Sequence, residues 1–176
     1  MKVAYQGAPG AFGHQACLTF LPDHEPVAKA TFEDVITAVE SGEAERGILP
    51  VENNEAGPTR AKALIDASSL TMLAEHDLPV RMHLLALSGT RIEQIRTIVS
   101  HPIALKQCAR SLARLQVATE ETSNTAIAAQ QLANPTRAVL ASEAAAEAYG
   151  LTILMRNVHD RPDNATRFAV LARKEA

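Results

Sequence analysis

Asn164-Ala165-Thr166-Arg167-Phe168 sets a hydroxyl beside a guanidinium at the mouth of an apolar run, Phe168-Ala169-Val170-Leu171, that reads as a strand. A hydroxyl can donate to charge developing on an oxygen, and a guanidinium can grip a carboxylate in a two-point fork. A second apolar run, Gly47-Ile48-Leu49-Pro50-Val51, breaks at once into Glu52-Asn53-Asn54-Glu55-Ala56-Gly57. Two hydrophobic strands thus each end in donors and acceptors. Ligands collect outside such strand ends in open α/β sheets, so the pair frames a candidate small-molecule site.

The elements that must carry these groups alternate along the chain, short apolar runs with helix-like segments, which predicts an α/β architecture. Residues 2–6 read as a strand, and Gly7-Ala8-Pro9-Gly10 as a tight turn into a helix through Gln15 and Leu18. Thr31 followed by Asp34 reads as a capped helix start, with Val35, Ile36 and Val39 as its apolar face and Gly42 as its stop. Runs 70–76 and 80–87 are joined through Asp77-Leu78-Pro79, where proline suggests an edge or a crossing. Thr97-Ile98-Val99 leads to Ser100-His101-Pro102, read as a Ser-capped helix whose buried face is Leu105, Cys108, Leu112 and Leu115. Thr122-Ser123-Asn124-Thr125 starts a helix that Asn134-Pro135 ends, and Val139-Leu140 precedes a third start at Ser142, closed by Gly150. Helix starts expose unpaired N–H groups, so Ser100, the 123–125 cluster and Ser142 could hold a carboxylate or phosphate, although Ser and Thr are also simply preferred caps.

Composition limits the partners. The 176 residues suit one domain or two small lobes, enough to bury roughly 70% of the unfolded surface. Aromatic residues are only 3% of the chain, Trp is absent and the net charge is -3, which leaves neither stacking surfaces nor a basic field for nucleic acid. Any anion must be met by local groups. Cys17 and Cys108 stand far apart without a CxxC pattern or a Cys/His cluster, so neither a zinc site nor a redox pair is indicated. No apolar stretch approaches the ~20 residues of a membrane span, and the start reads as a strand rather than a leader. A reduced, cytoplasmic protein is the expectation.

The residues resemble the prephenate dehydratase family over essentially the whole length. The matching stretches are Tyr5-Gln6-Gly7-Ala8-Pro9-Gly10-Ala11-Phe12-Gly13-His14-Gln15-Ala16, Leu49-Pro50-Val51-Glu52-Asn53, Ser100-His101-Pro102 with Gln107-Cys108, Ser123-Asn124-Thr125-Ala126, Tyr149-Gly150-Leu151 and Asn164-Ala165-Thr166-Arg167-Phe168. The resemblance implies conversion of prephenate to phenylpyruvate, with loss of water and carbon dioxide, on the route to phenylalanine and without cofactor or metal. It gives Thr166 the departing hydroxyl, and places Glu52, Asn53 and Gln107 with it as catalytic residues. Glu52 would organise the site, or supply a proton if buried. Arg167, Phe168, Ser100, Ser123, Asn124 and Thr125 would bind substrate, Arg167 by pairing with a carboxylate unless an acidic neighbour takes it. His14 and His101 invite a general-acid role beside a structural one.

The same resemblance implies a two-lobed fold like type II periplasmic binding proteins, with the site in the interlobe cleft. One lobe would hold residues 1–75 and 160–176, the other residues 79–159. The family suggests a homodimer or larger homo-oligomer. Departures from its usual residues occur at Ala11 and Gly13, which remove two hydroxyls from the first loop, and at Asn54, Pro58-Thr59 and Ile103. Family members commonly continue into a phenylalanine-binding ACT domain. The sequence stops at Ala176, so the expectation is a stand-alone catalytic unit, or a piece cut from a longer protein, without that regulation. Two other readings stand beside dehydration: a prephenate decarboxylase relative that keeps the ring hydroxyl, and a non-catalytic module that senses a carboxylate metabolite. No residue visibly separates prephenate from arogenate, which carries an amino group in place of the side-chain keto group.

Overall fold

The computed structural model describes residues 1–174. They divide into two compact units. The first comprises Met1–Ala8, Phe12–Val80 and the chain from Asn164 onward; the second comprises Pro9–Ala11 and Arg81–Asp163. The chain passes between them at residues 80/81 and 163/164, a few residues later than the expected 75–79 and 159/160, and the Pro9–Ala11 turn joins the second unit.

In the first unit, β1 (Lys2–Gln6), β2 (Glu25–Lys29), β3 (Arg46–Asn53), β4 (Gly57–Pro58), β5 (Leu70–Pro79) and β11 (Ala165–Arg173) form one sheet in the order β2-β1-β3-β11-β5, with β4 on β3. β1 runs parallel to β2 and β3, whereas β11 lies antiparallel between β3 and β5. The junction read at Asp77-Leu78-Pro79 is itself strand, because β11 supplies register partners as far as Ala165 opposite Pro79. Proline is tolerated there because β5 is an edge strand.

Alternation along the strands sorts their side chains onto two faces. Val3, Tyr5, Ile48, Leu78, Phe168 and Val170 pack with Ala16 and Cys17 of α1 (Phe12–Phe20). Ala4, Leu49, Val51, Ala169 and Leu171 pack with α2 (Phe32–Glu40) and α3 (Ala61–Ala67) on the other face. The start of α2 is reciprocal: Asp34 N donates to Thr31 Oγ1 at 3.1 Å and Thr31 N donates to Asp34 Oδ2 at 3.1 Å. Such a cap stabilises by about 1 kcal/mol.

The second unit is a five-stranded sheet of β6 (His83–Ala86), β7 (Thr97–Ser100), β8 (Ala118–Glu121), β9 (Arg137–Ala141) and β10 (Thr152–Met155), ordered β10-β6-β9-β7-β8. Its helices are α4 (Pro102–Gln107), α5 (Ala109–Leu115), α6 (Thr125–Gln130) and α7 (Glu143–Tyr149). The single helix expected after Pro102 is two, broken at Cys108 (φ -116°, ψ 14°), although Cys108 and Leu112 are buried as expected. The helix expected to reach Asn134 ends at Gln130, with Gln131 as its C-cap. Leu85, Val99, Val139 and Ala141 pack with Ala129, Ala145 and Ala146 as a core.

The turn at Pro9–Ala11 is fastened to α7. Ser142 Oγ donates to Gly10 O at 2.6 Å while accepting from Ala145 N at 3.1 Å, and Tyr149 Oη donates to Pro9 O at 2.6 Å. Gly10 has φ +82°, and a Cβ there would lie 2.6 Å from Ala145 Cα, so only glycine fits. Among the described residues, no helix is long and apolar enough to cross a membrane.

Candidate active site

Asn53 is the hub of the polar cluster in the first unit. Its Oδ1 accepts from Glu55 N at 3.0 Å and Ala56 N at 2.9 Å, an Asx turn that breaks β3 and fixes which end of the amide is nitrogen. Nδ2 therefore faces the other way, donating to Thr166 Oγ1 at 2.9 Å, Asn164 Oδ1 at 2.9 Å and Ala165 O at 3.1 Å. Thr166 and Asn53 are register partners across β11 and β3.

Donor accounting at Thr166 has a chemical consequence. An amide nitrogen cannot accept, so Oγ1 accepts from Asn53 and keeps its own proton for another acceptor. A hydroxyl whose oxygen already accepts is polarised into a better donor. The side chain is half-buried, which shields the bond without sealing the hydroxyl from a ligand.

Arg167 points the other way. Successive strand residues face opposite sides, and Arg167 lies opposite Glu52 on β3 and Asp77 on β5. Its Nε donates to Asp77 Oδ1 at 3.1 Å and its Nη1 approaches Glu52 Oε2 at 3.5 Å. The Asp77 hydrogen bond, then its charge, raises the guanidinium above its usual range. The acidic neighbours foreseen as an alternative thus take the guanidinium that was expected to pair with a substrate carboxylate. Glu52 is half exposed in that pair, so the burial on which proton supply would depend is missing. Phe168, expected at the substrate, is 2% exposed among Tyr5, Ile48 and Val170. Burying such a ring stabilises by roughly 2–3 kcal/mol. Its work is packing.

In the second unit the helix starts are largely occupied by their own side chains. His101, not Ser100, caps α4: its Nδ1 accepts from Ile103 N at 3.2 Å. Ser100 is the last residue of β7, fully buried, and its Oγ donates to Leu140 O at 3.1 Å, tying β7 to β9, with Thr125 Oγ1 at 3.5 Å. Asn124 caps α6, its Oδ1 taking Ala126 N at 2.9 Å and Ile127 N at 3.2 Å. Ser123 is exposed beside it and Thr125 is half-buried. Gln107 ends α4, half-buried, and its carbonyl accepts from Asp160 N at 2.7 Å. His14 stacks at a tilt 5.4 Å from Tyr5, and burial lowers its pKa.

The structure therefore joins Asn53 and Thr166 directly. It spends Arg167, Glu52 and Phe168 on the sheet of the first unit, Ser100 on the sheet of the second, and Asn124 on the start of α6. Two residues escaped the sequence reading. Asp77 was taken for a connection, and only the register of β5 reveals it. Asn164 was quoted in a motif without a role, although a polar residue just ahead of a buried strand was a usable signal.

Comparison with known proteins agrees with this frame. The family model described as prephenate dehydratase matches residues 3–176. The chain is 39% identical over 99% of its length to arogenate dehydratase/prephenate dehydratase 2 of Arabidopsis thaliana, covering 47% of that protein. It is 42% identical, again over 99%, to arogenate dehydratase 1 of Petunia hybrida, covering 42% of it. A solved structure described as GqqA, a novel type of quorum quenching acylase, superposes with TM-score 0.93 at 34% identity, over all of this chain and 65% of that one. The chain spans about half the length of the curated relatives it matches. With a family model covering nearly every residue and an Asn53–Thr166 pair at the head of the strand that the family motif marks, the chain belongs to the prephenate dehydratase family.

Proposed function

We propose that the protein converts prephenate to phenylpyruvate. The reaction breaks the bond from the ring to its carboxylate, and those electrons pass into the ring as it becomes aromatic. The hydroxyl on the opposite ring carbon then departs with its bonding pair. Carbon dioxide leaves, and the departing hydroxide takes a proton from the solvent to become water. Aromatisation supplies the driving force, so no redox group or Lewis acid is required. What the uncatalysed reaction lacks is a donor already held in place at the leaving oxygen.

The observation that carries this reading is the bond from Asn53 Nδ2 to Thr166 Oγ1, which leaves the Thr166 proton free to meet that oxygen. A threonine hydroxyl is too weak an acid to surrender its proton outright. Its part is a hydrogen bond that strengthens as charge develops. Asn53 is then the orienting residue, and Glu52 steadies the strand end through Arg167. The family resemblance, rather than any contact within one unit, gives Gln107, Ser123 and Thr125 to the substrate's oxygens, with Asn124 capping the helix that Thr125 begins. Arogenate, for which the relatives are also named, undergoes the same ring chemistry and should be tested beside prephenate. The protein acts in the cytoplasm as a homodimer or larger homo-oligomer.

An acylase, the activity named for the 34% identical solved structure, is the second reading. Acyl transfer needs an electron-rich nucleophile held by a base. An N–H bond to Oγ1 draws density away from Thr166 and favours the donor role instead.

The test is incubation with prephenate near neutral pH, following phenylpyruvate by its absorbance in alkali, with Thr166→Ala and Thr166→Ser in parallel. Turnover lost in the alanine variant and largely kept in the serine variant is expected. A product that keeps the ring hydroxyl would point to decarboxylation. Saturable binding without turnover would point to a sensor.

A further inference from the structure

The geometry points to Asn164 as a positioning residue that acts on Thr166 through Asn53, an inference that rests on the dehydratase reading. Asn164 is 2% exposed. Its Oδ1 accepts from Asn53 Nδ2 at 2.9 Å, while its own Nδ2 is buried and meets no acceptor among the described residues. Satisfying that nitrogen is not what sets the side chain's orientation. Turned over, the amide would bring Nδ2 against Asn53 Nδ2, donor to donor. Asn53 cannot turn to help, because its Oδ1 holds Glu55 N and Ala56 N.

Proton counting shows what the contact is for. Asn53 Nδ2 carries two protons and faces three acceptors: Asn164 Oδ1, Thr166 Oγ1 and the slightly longer Ala165 O. Without Asn164 the nitrogen would still have one acceptor for each proton, so the contact is surplus to satisfying Asn53. Asn164 meanwhile carries an unpaired buried donor that an apolar side chain of similar volume would not. A position serving only the fold would be better filled by leucine. Asn164 instead pins one N–H of Asn53 from the side, so that the amide cannot shift further toward Ala165 O, its longer partner at 3.1 Å, and the other N–H stays aimed at Thr166 Oγ1. The aim of the Thr166 proton follows, since it takes a direction that the accepted bond leaves open.

Asn164→Leu and Asn164→Asp separate this role from a structural one. The leucine variant is expected to keep or raise Tm while kcat falls roughly 10–100-fold, the range for slight misplacement of a reacting group, with KM changed by less than about threefold. The aspartate variant keeps an oxygen against Asn53 and should recover kcat to within about fivefold of wild type. Side-chain amide exchange read by NMR gives a measure independent of turnover: one Asn53 Hδ2 should lose protection in the leucine variant and keep it in the aspartate variant. Wild-type kcat in the leucine variant would overturn the inference, as would a kcat loss matched by a fallen Tm. An aspartate variant as slow as leucine with raised KM would also overturn it, showing that Asn164 Nδ2 itself meets substrate. If the wild type makes no phenylpyruvate, the dehydratase reading falls, and the exchange measurement still tests the clamp.

Discussion

Replacing one nitrogen by oxygen at Asn53 reverses the hydrogen bond on which the proposed mechanism depends. In Asn53→Asp the atom 2.9 Å from Thr166 Oγ1 can, when ionised, only accept, whereas the bonds from Glu55 N and Ala56 N are kept. Charge-assisted hydrogen bonds are roughly twice as strong as neutral ones, so the Thr166 hydroxyl turns toward the carboxylate and withdraws its proton from the substrate. Loss of one donor to a developing oxyanion costs about 100–1,000-fold in kcat. The fold suffers less. Asn164 can turn its amide over, giving its buried Nδ2 an acceptor at last, and Ala165 O at 3.1 Å is left facing an oxygen. One lost partner of this kind costs about 1–3 kcal/mol, a Tm decrease of roughly 3–10 °C for a protein of this size. The pH profile carries a sharper signature. Once protonated, the introduced carboxyl can donate to Thr166 Oγ1 as the amide did, so activity should be lost above its pKa and recover as pH falls toward the ordinary Asp range near about 4. Initial rates of phenylpyruvate release between pH 4 and pH 8, with Tm at each pH, decide the matter (the range is set by that pKa, roughly). A kcat at the alkaline end within about threefold of wild type would refute the assignment of Thr166 as donor.

Other outcomes follow from contacts away from Thr166. Arg167→Gln should lower kcat by less than about tenfold, because its guanidinium is held by Asp77 and Glu52; a loss as large as that of Thr166→Ala would return Arg167 to the substrate. Ser142→Ala removes both the cap on α7 and the bond to Gly10 O, and should cost about 1–3 kcal/mol by chemical denaturation. Burial, outweighing the nearby Glu143, lowers the pKa of His83, whose Nδ1 accepts from Asn157 N at 3.1 Å. The folded state then binds fewer protons than the unfolded one, so its contribution is complete above the ordinary histidine pKa and is lost as pH falls below it; the pH dependence of Tm should flatten in His83→Gln. The Cys17 thiol, pushed up to about 12 by burial, should resist alkylation at mildly alkaline pH until the protein unfolds, as judged by mass.

The parts of the fold legible in the sequence are those decided locally. β1 keeps its expected bounds, and the box at Thr31 and Asp34 forms as read, because a cap needs only neighbours in the chain. Partners distant in sequence decided the rest. β5 runs through Asp77-Leu78-Pro79 because β11 offers register partners there, and no property of the tripeptide reveals it. Ser100 was read as a cap because serine is a good one, yet β7 continues through it alongside β8 and hands the cap to His101. The site shows the same division. Thr166 and Asn53 stood out as polar groups at strand ends, and they meet. That Arg167 faces the opposite side from its neighbour follows from strand alternation, once the strand is known to begin at Ala165 rather than Phe168.

β11, which carries Thr166, lies between β3 and β5 yet follows every other strand in the chain. During synthesis on the ribosome, β3 and β5 are therefore made with no strand between them. Both would present open edges while residues 81–163 emerge and assemble, the condition under which unpaired strands invite aggregation. The insertion of β11 closes that gap and delivers the Thr166 hydroxyl in the same step. A nascent chain thus places the Thr166 hydroxyl only when those two facing edges are paired, and a chaperone that shields them would also time that step.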